Sequence, residues 1–393
     1  MSDDLLIGLA VVLLAGLFQG GFMLPSKWMS GWAWENYWLI FAAVAYLACP
    51  WLLALATIPN LLDVYRGATI SSVVWVVLFG IGWGIGAVTF GLGVEAIGLS
   101  LGFAVILGVA ATSGTLIPLL VHPPSNFTTS QGVVTAGSLA VMLLGVAVCS
   151  FAGRWKEGGA SATRRFSYRL GLVICVLSGL LSSCGNLGFA FGEVIYRRAA
   201  GPGVPAHLTP NALWPLLTPP LFLCNAGYAL YLLRRDRTGR NYRDARSARN
   251  TFFAILMGVL WMAGMALYGI GANRLGRLGP SLGWSILMSS MVLVANALGV
   301  LSGEWRSAPA RAMRHLAAGL VLLLLAITGL GFANSLQQEN GRPPSRGASA
   351  EEVRSHDPAS PFDEPTLFNP LAPRKRSHWA DQSGRDGAGA AES

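Results

Sequence analysis

Residues 78–98 read LFGIGWGIGAVTFGLGVEAIG, and residues 256–276 read LMGVLWMAGMALYGIGANRLG. Laid on each other without a gap, they share seven residues: Leu78/Leu256, Gly80/Gly258, Trp83/Trp261, Gly86/Gly264, Gly91/Gly269, Gly93/Gly271 and Gly98/Gly276, with Phe90 opposite Tyr268. Glycine-rich apolar helices resemble one another by composition, but a shared tryptophan in a common glycine register is more than composition supplies. Just beyond, Ser100-Leu101-Gly102-Phe103 is echoed by Ser281-Leu282-Gly283-Trp284. The chain contains a repeat, and its meaning depends on what separates the copies.

Composition says that the separating segments cross a membrane. Of 393 residues, 53% are hydrophobic and 12% charged, and the mean hydropathy is +0.52. That charged fraction is about half of what a soluble domain carries, too little to cover a globule of this size. Soluble enzymes, disordered chains and disulfide-rich secreted domains are excluded. Ten runs of about 20 mainly apolar residues lie near 5–24, 37–57, 73–94, 99–121, 132–152, 170–191, 211–233, 251–271, 280–302 and 315–334. They are continuous rather than alternating, so they read as helices and not as strands of a β-barrel. Asp3 and Asp4 replace the basic start of a signal peptide, so the first run is kept as a span.

The quoted segments fall in the third and eighth spans. An offset of five spans is odd, so the two copies must lie upside down with respect to each other. The expected fold is an all-α integral membrane protein of ten helices in two inverted five-helix repeats, about 5–152 and 170–334. This is the construction of secondary transporters, whose halves rock about a site at the repeat interface. Pro50 in the second span and Pro215, Pro219 and Pro220 in the seventh interrupt equivalent helices, each freeing a carbonyl for another donor. Residues 335–393, rich in Pro, Ser, Arg, Glu and Gly, have too little apolar surface to offset ordering entropy and are expected to be a disordered tail.

Lys and Arg sort by side. Sixteen fall in odd-numbered connections, seven of them between Arg234 and Arg249, against five in even-numbered ones. Cytoplasmic loops keep the basic excess, so the odd connections are expected inside and both termini outside, in the periplasm of a bacterial inner membrane. The arginine-rich segment 234–249 is read as this topology signal and not as a nucleic-acid surface. Cys49, Cys149, Cys175, Cys184 and Cys224 all lie in spans without paired spacing and read as small buried hydrophobes. Gly82-Trp83-Gly84-Ile85-Gly86-Ala87 matches a dinucleotide fingerprint, but it lies inside an apolar span with no soluble strand before it. No metal-ligand spacing or hydrolase motif occurs, so neither cofactor nor enzymatic activity is expected.

Several stretches carry a resemblance. Pro25-Ser26-Lys27, Trp32-Ala33-Trp34-Glu35, Trp38, Pro50-Trp51 and Pro59-Asn60 are followed by Trp83-Gly84-Ile85-Gly86, Phe90-Gly91-Leu92, Leu99-Ser100 and Gly114-Thr115-Leu116 with Pro118. The second half adds Asn225, Trp261, Tyr268, Trp284, Met288-Ser289, Gly299 and Glu304-Trp305. Over about residues 5–334 the chain resembles the bacterial L-rhamnose-proton symporters of the drug/metabolite transporter superfamily. The resemblance implies ten helices in two inverted halves, a small neutral sugar as substrate and protons as the coupled ion. Against the family pattern, Ala87 stands for Asn, Gly264 for Gln, Glu95 for a basic residue, and Lys27 alone for a lysine cluster. The runner-up is a carrier of the same superfamily for another sugar, or an exporter of a small metabolite.

A neutral sugar needs aromatic faces for its C–H surface and amides or hydroxyls for its OH groups. Trp83 and Trp261, one from each repeat, are the candidate walls; packing between helices is the plainer use of an indole. Gln19, Asn186, Ser289 and Asn296 lie inside spans, where a polar side chain faces the bundle interior, either at substrate or in a bond between helices. Proton coupling needs a titrating group, and the candidates Glu95, Glu193 and Glu304 all sit at helix ends. Glu304 is expected to pair with Lys27 as a latch on the inner gate.

Overall fold

The computed structural model describes residues 3–97, 99–121, 129–156, 168–201, 203–276, 279–303 and 305–340. The chain runs through helix α1 (Asp3–Gly21), a 3-10 turn (Leu24–Trp28), α2 (Trp34–Ala43), a π turn (Val44–Ala48) and α3 (Cys49–Thr57). It continues with α4 (Leu61–Gly67), α5 (Ile70–Ile97), α6 (Leu99–Val121) and α7 (Ser130–Lys156), then α8 (Tyr168–Phe191), α9 (Glu193–Arg198) and a 3-10 segment (Ala206–Ala212). The remainder is α10 (Trp214–Arg235), a 3-10 segment (Thr238–Arg243), α11 (Ser247–Arg274), α12 (Gly279–Leu301) and α13 (Ala310–Asn340).

Among the described residues nine helical stretches are long and apolar enough to cross a membrane, and no strand occurs. The fourth expected span coincides with α6, whose apolar stretch is the shorter Val105–Val121. The last helix runs on to Asn340, past the expected boundary at 334; the rest of the expected tail lies outside the described residues. A belt of large apolar side chains faces outward, among them Leu52, Leu55, Leu223, Phe252 and Leu325, whereas Gln19, Asn186, Asn225 and Ser289 are buried. This reverses the pattern of a soluble globule and is what a lipid solvent demands.

Small residues decide which helices touch. α5 packs between α8 and α10, α1 between α11 and α12, and α7 along α13. A Cβ at Gly80 would stand 2.3 Å from the Leu217 carbonyl oxygen of α10, and one at Gly86 2.6 Å from the Ser182 nitrogen of α8. Backbones this close leave no room for a side chain. Four cysteines fill similar notches: Cys184 Sγ lies 2.8 Å from a Cβ built at Gly82, Cys224 Sγ 2.8 Å from one at Gly84, Cys175 Sγ 2.8 Å from one at Gly93 and Cys149 Sγ 2.5 Å from one at Gly319. After α11 and α12 the chain turns at Gly276 (φ 79°) and Gly303 (φ 81°), left-handed positions that favour glycine.

The second expected span is not one plain helix. Pro50 has no N–H for the Tyr46 carbonyl a turn earlier, and the backbone widens into the π turn, with Cys49 N–H reaching Val44 O. Thr218 of α10 donates its hydroxyl to Tyr46 O at 2.8 Å, so the carbonyl freed by proline is taken by the partner half of the sequence.

Candidate functional site

At the centre, α5 and α11 bring the two repeat tryptophans together. The Trp83 and Trp261 rings lie 5.7 Å apart at 36°. Tyr46, carried inward by the π turn, meets Trp261 edge-on at 4.8 Å and 83°. On the other side the Trp83 ring lies against Gly185 of α8, where a Cβ would come within 2.6 Å. Gln19 of α1 donates its Nε2 to the Trp261 main-chain oxygen at 2.7 Å and is 6% exposed. Its amide occupies the space beside residue 264, where a Cβ would stand 2.8 Å from Nε2. Gly264 leaves that room and α1 supplies the amide. Gln19, Trp83 and Trp261, expected on sequence grounds, therefore form one cluster.

The other expected polar residues lie elsewhere. Asn186 is fully buried on α8 and committed to protein: Nδ2 donates to Gly114 O at 2.8 Å and Pro280 O at 2.9 Å, while Oδ1 accepts the Tyr268 hydroxyl. It ties α6, α11 and α12 to α8. Ser289 is fully buried on α12, and its hydroxyl has no hydrogen-bond partner. Asn296 bonds within its own helix, Nδ2 to Val292 O at 2.8 Å. Glu193 forms a surface pair with Arg197, Nε to Oε1 at 2.8 Å. Lys27 Nζ donates to Ser302 Oγ at the end of α12 at 2.8 Å; its expected partner Glu304 lies outside the described residues, as does the side chain of Glu95 in the last turn of α5.

Sequence reasoning missed the ring ladder that leads into the cluster along α2. Trp34 stacks on Trp38 (4.8 Å), Trp38 meets Phe41 at a tilt (4.6 Å, 40°), and Phe41 meets Tyr46 edge-on (5.4 Å). Trp38 Nε1 also donates to Asn225 Oδ1 at 3.0 Å. Their aromatic character was visible, but only the helix face they share aligns them.

It also missed a polar clasp at the Trp34 end of that ladder. Asn36, fully buried, accepts from Ala33 N–H (3.0 Å) and Asn241 Nδ2 (3.1 Å), donates to Thr238 O (3.0 Å) and has its carbonyl taken by the Tyr242 hydroxyl (2.9 Å). Trp32 Nε1 donates to Asn241 O at 3.1 Å, and Asn250 Nδ2 to Ser30 O at 2.9 Å. Neighbouring Glu35 is 5% exposed and accepts the Thr238 hydroxyl at 2.5 Å. Burial is the main influence that raises the Tyr242 phenol above its ordinary value; the bond to Asn36 opposes it, and Glu35 adds to it. On the opposite face a second, smaller clasp joins Tyr65 OH to Ala212 O (2.7 Å) and Asn211 Nδ2 to Thr57 Oγ1 (3.2 Å).

Glycine-notched apolar helices around a central amide and indole cluster define a multi-pass helical membrane protein with a polar interior, the class to which small-molecule carriers belong. The family model described as L-rhamnose-proton symport protein (RhaT) matches residues 1–334. The chain belongs to that family. Curated relatives named L-rhamnose-proton symporter come from Escherichia coli O1:K1 / APEC, 26% identical, and Cronobacter sakazakii (strain ATCC BAA-894), 28% identical. Each is covered over its full length by 85% of this chain, and a relative of the same name from Shigella boydii serotype 18 is 26% identical over the same shares.

Proposed function

We propose that this chain is a secondary active transporter of the bacterial inner membrane that moves L-rhamnose together with protons by alternating access. The observation that carries the reading is the family match over residues 1–334, which takes in the described helices from α1 into α13. The sugar site is assigned to Trp83 and Trp261, with Gln19 between them. Indole faces suit the C–H surface of a deoxysugar, and an amide shares its hydroxyl hydrogen bonds. Ser289, a buried hydroxyl without a partner, is the next candidate, and Asn186 holds the surrounding helices in place.

The chain is read as ten spans, with α6 as the fourth, in two inverted halves of about 5–152 and 170–334. Contacts that recur with partners exchanged support this. Gly93 of α5 meets Cys175 of α8 as Gly271 of α11 meets Val12 of α1, and Gly179 of α8 meets Val109 of α6 as Gly16 of α1 meets Ser290 of α12. The two clasps obey the same exchange: the first connection meets the seventh, and the sixth meets the second. The bias of basic residues supports odd connections in the cytoplasm and both termini in the periplasm. Lys27, bonded at the end of α12, is assigned with Glu304 to the latch of the inner gate.

Uptake of labelled L-rhamnose by cells carrying this gene is expected, and a protonophore should abolish its accumulation. Absence of uptake in both conditions would remove the substrate while leaving the family membership.

A further inference from the structure

Glu35 is the only buried acidic or basic side chain among the described residues. We propose that Glu35 carries the coupled proton, an inference that rests on the symport reading above. Three observations lead there. Its carboxyl is buried and accepts the Thr238 hydroxyl of the Thr238–Arg243 segment. That segment is held to the first connection and the start of α2 by the bonds of Asn36, Trp32, Asn241 and Tyr242, so parting of the clasp draws the Thr238 hydroxyl away from Glu35. Finally, Glu35 shares a continuous helical stretch with Tyr46, whose ring lies on Trp261, so a movement of α2 at the clasp is felt at the aromatic pair.

The groups that face it are few. Tyr37 lies two residues further along α2, and Tyr242 is carried by the opposing segment. The charged residues of the facing elements near it, Arg234, Arg235, Asp236, Arg237, Arg240, Arg243, Asp244, Arg246 and Arg249, are all exposed to solvent. Desolvation penalises the charged form of any carboxyl, so a carboxyl alternately covered and uncovered takes up and releases a proton with the same motion. On binding, a proton from water forms an O–H bond with a carboxylate oxygen. On release that bond breaks, the electron pair stays on oxygen and the proton returns to water.

The test uses the full chain in proteoliposomes, with labelled L-rhamnose followed both as counterflow at equal pH and as accumulation driven by an imposed pH gradient. Glu35→Gln should lose gradient-driven accumulation and keep counterflow. Wild-type accumulation in Glu35→Gln, or loss of counterflow along with accumulation in protein that is folded by its melting temperature, overturns the proposal. Where Glu35→Gln does not reach the membrane, Glu35→Asp replaces it: a displaced pH profile of accumulation supports the role, and an unchanged profile overturns it. A sugar-independent arm separates the two readings. Carbodiimide modification at residue 35, read by mass spectrometry, should fall as pH rises; a carboxyl that is never labelled overturns the proposal. Labelling without any rhamnose counterflow in the wild type would instead fault the sugar assignment.

Discussion

Gly185 of α8 is the floor on which the Trp83 indole of α5 rests: a methyl group at 185 would stand 2.6 Å from ring carbon Cδ2. The two residues touch across a helix pair, so the position of the indole proposed as a wall of the sugar site is set by the absence of a side chain on the neighbouring helix.

Gly185→Ala is therefore expected to push Trp83 out of register with Trp261 and to raise the apparent KM for sugar about tenfold, the equivalent of ~1.4 kcal/mol. Gly227→Ala, at a helical glycine with nothing within 4 Å of the added atom, is the control and should leave uptake unchanged. Concentration-dependent uptake compares the two. Equal KM values would show that Trp83 is not a wall.

Gln19→Leu removes the amide beside Trp261 and keeps most of the volume. A loss of one hydrogen bond to sugar predicts an increase in KM of about tenfold with little change in protein level. A normal KM with reduced thermal stability would instead assign Gln19 to holding α1 against α11.

Pro50 and Thr218 are expected to couple. Thr218→Val strands the Tyr46 carbonyl and should destabilise the protein by about 1 kcal/mol. Pro50→Ala restores an N–H that can reach that carbonyl, so the double variant should lose less than the sum of the single losses. Thermal denaturation in detergent measures the cycle, and strict additivity would refute the exchange of donors.

Tyr242 supplies a pH dependence with a definite sign. Its folded-state value lies above the ordinary one near 10, so its contribution to stability is complete below that pH and is lost as pH rises through the folded value. Melting temperatures of wild type and Tyr242→Phe should diverge in their alkaline dependence, the wild type falling more steeply. Parallel curves would remove Tyr242 from the clasp's titration.

The apolar spans and the central pair were legible because each is local: apolar runs, and a tryptophan at matching places in two glycine-rich segments. Gln19 stood out as an amide inside an apolar run. Glu35 and Asn36 did not, because a polar residue at a helix start reads as an ordinary cap, and the partners that bury them come 203 and 205 positions later. Tyr46 was hidden for another reason. Pro50 announced an interrupted helix, but not that the interruption would be a π turn that rotates the preceding residues toward Trp261. Asn186 was visible, yet nothing in its own span foretold that two carbonyls would take both its N–H groups and a phenol its oxygen.

The cysteines packed into glycine notches bear on how this molecule responds to reagents. Cys184 and Cys224 approach α5 from different helices, at neighbouring glycines. An alkyl group or a mercury atom on either sulfur would wedge α8 or α10 away from α5, so thiol inhibition would report displacement of a helix and not injury to the sugar site. Protection by substrate would then record which conformation the sugar favours. By the same geometry a cysteine-free version made for spectroscopy is not a neutral background: serine at 184 or 224 puts a hydroxyl where the notch was fitted to sulfur.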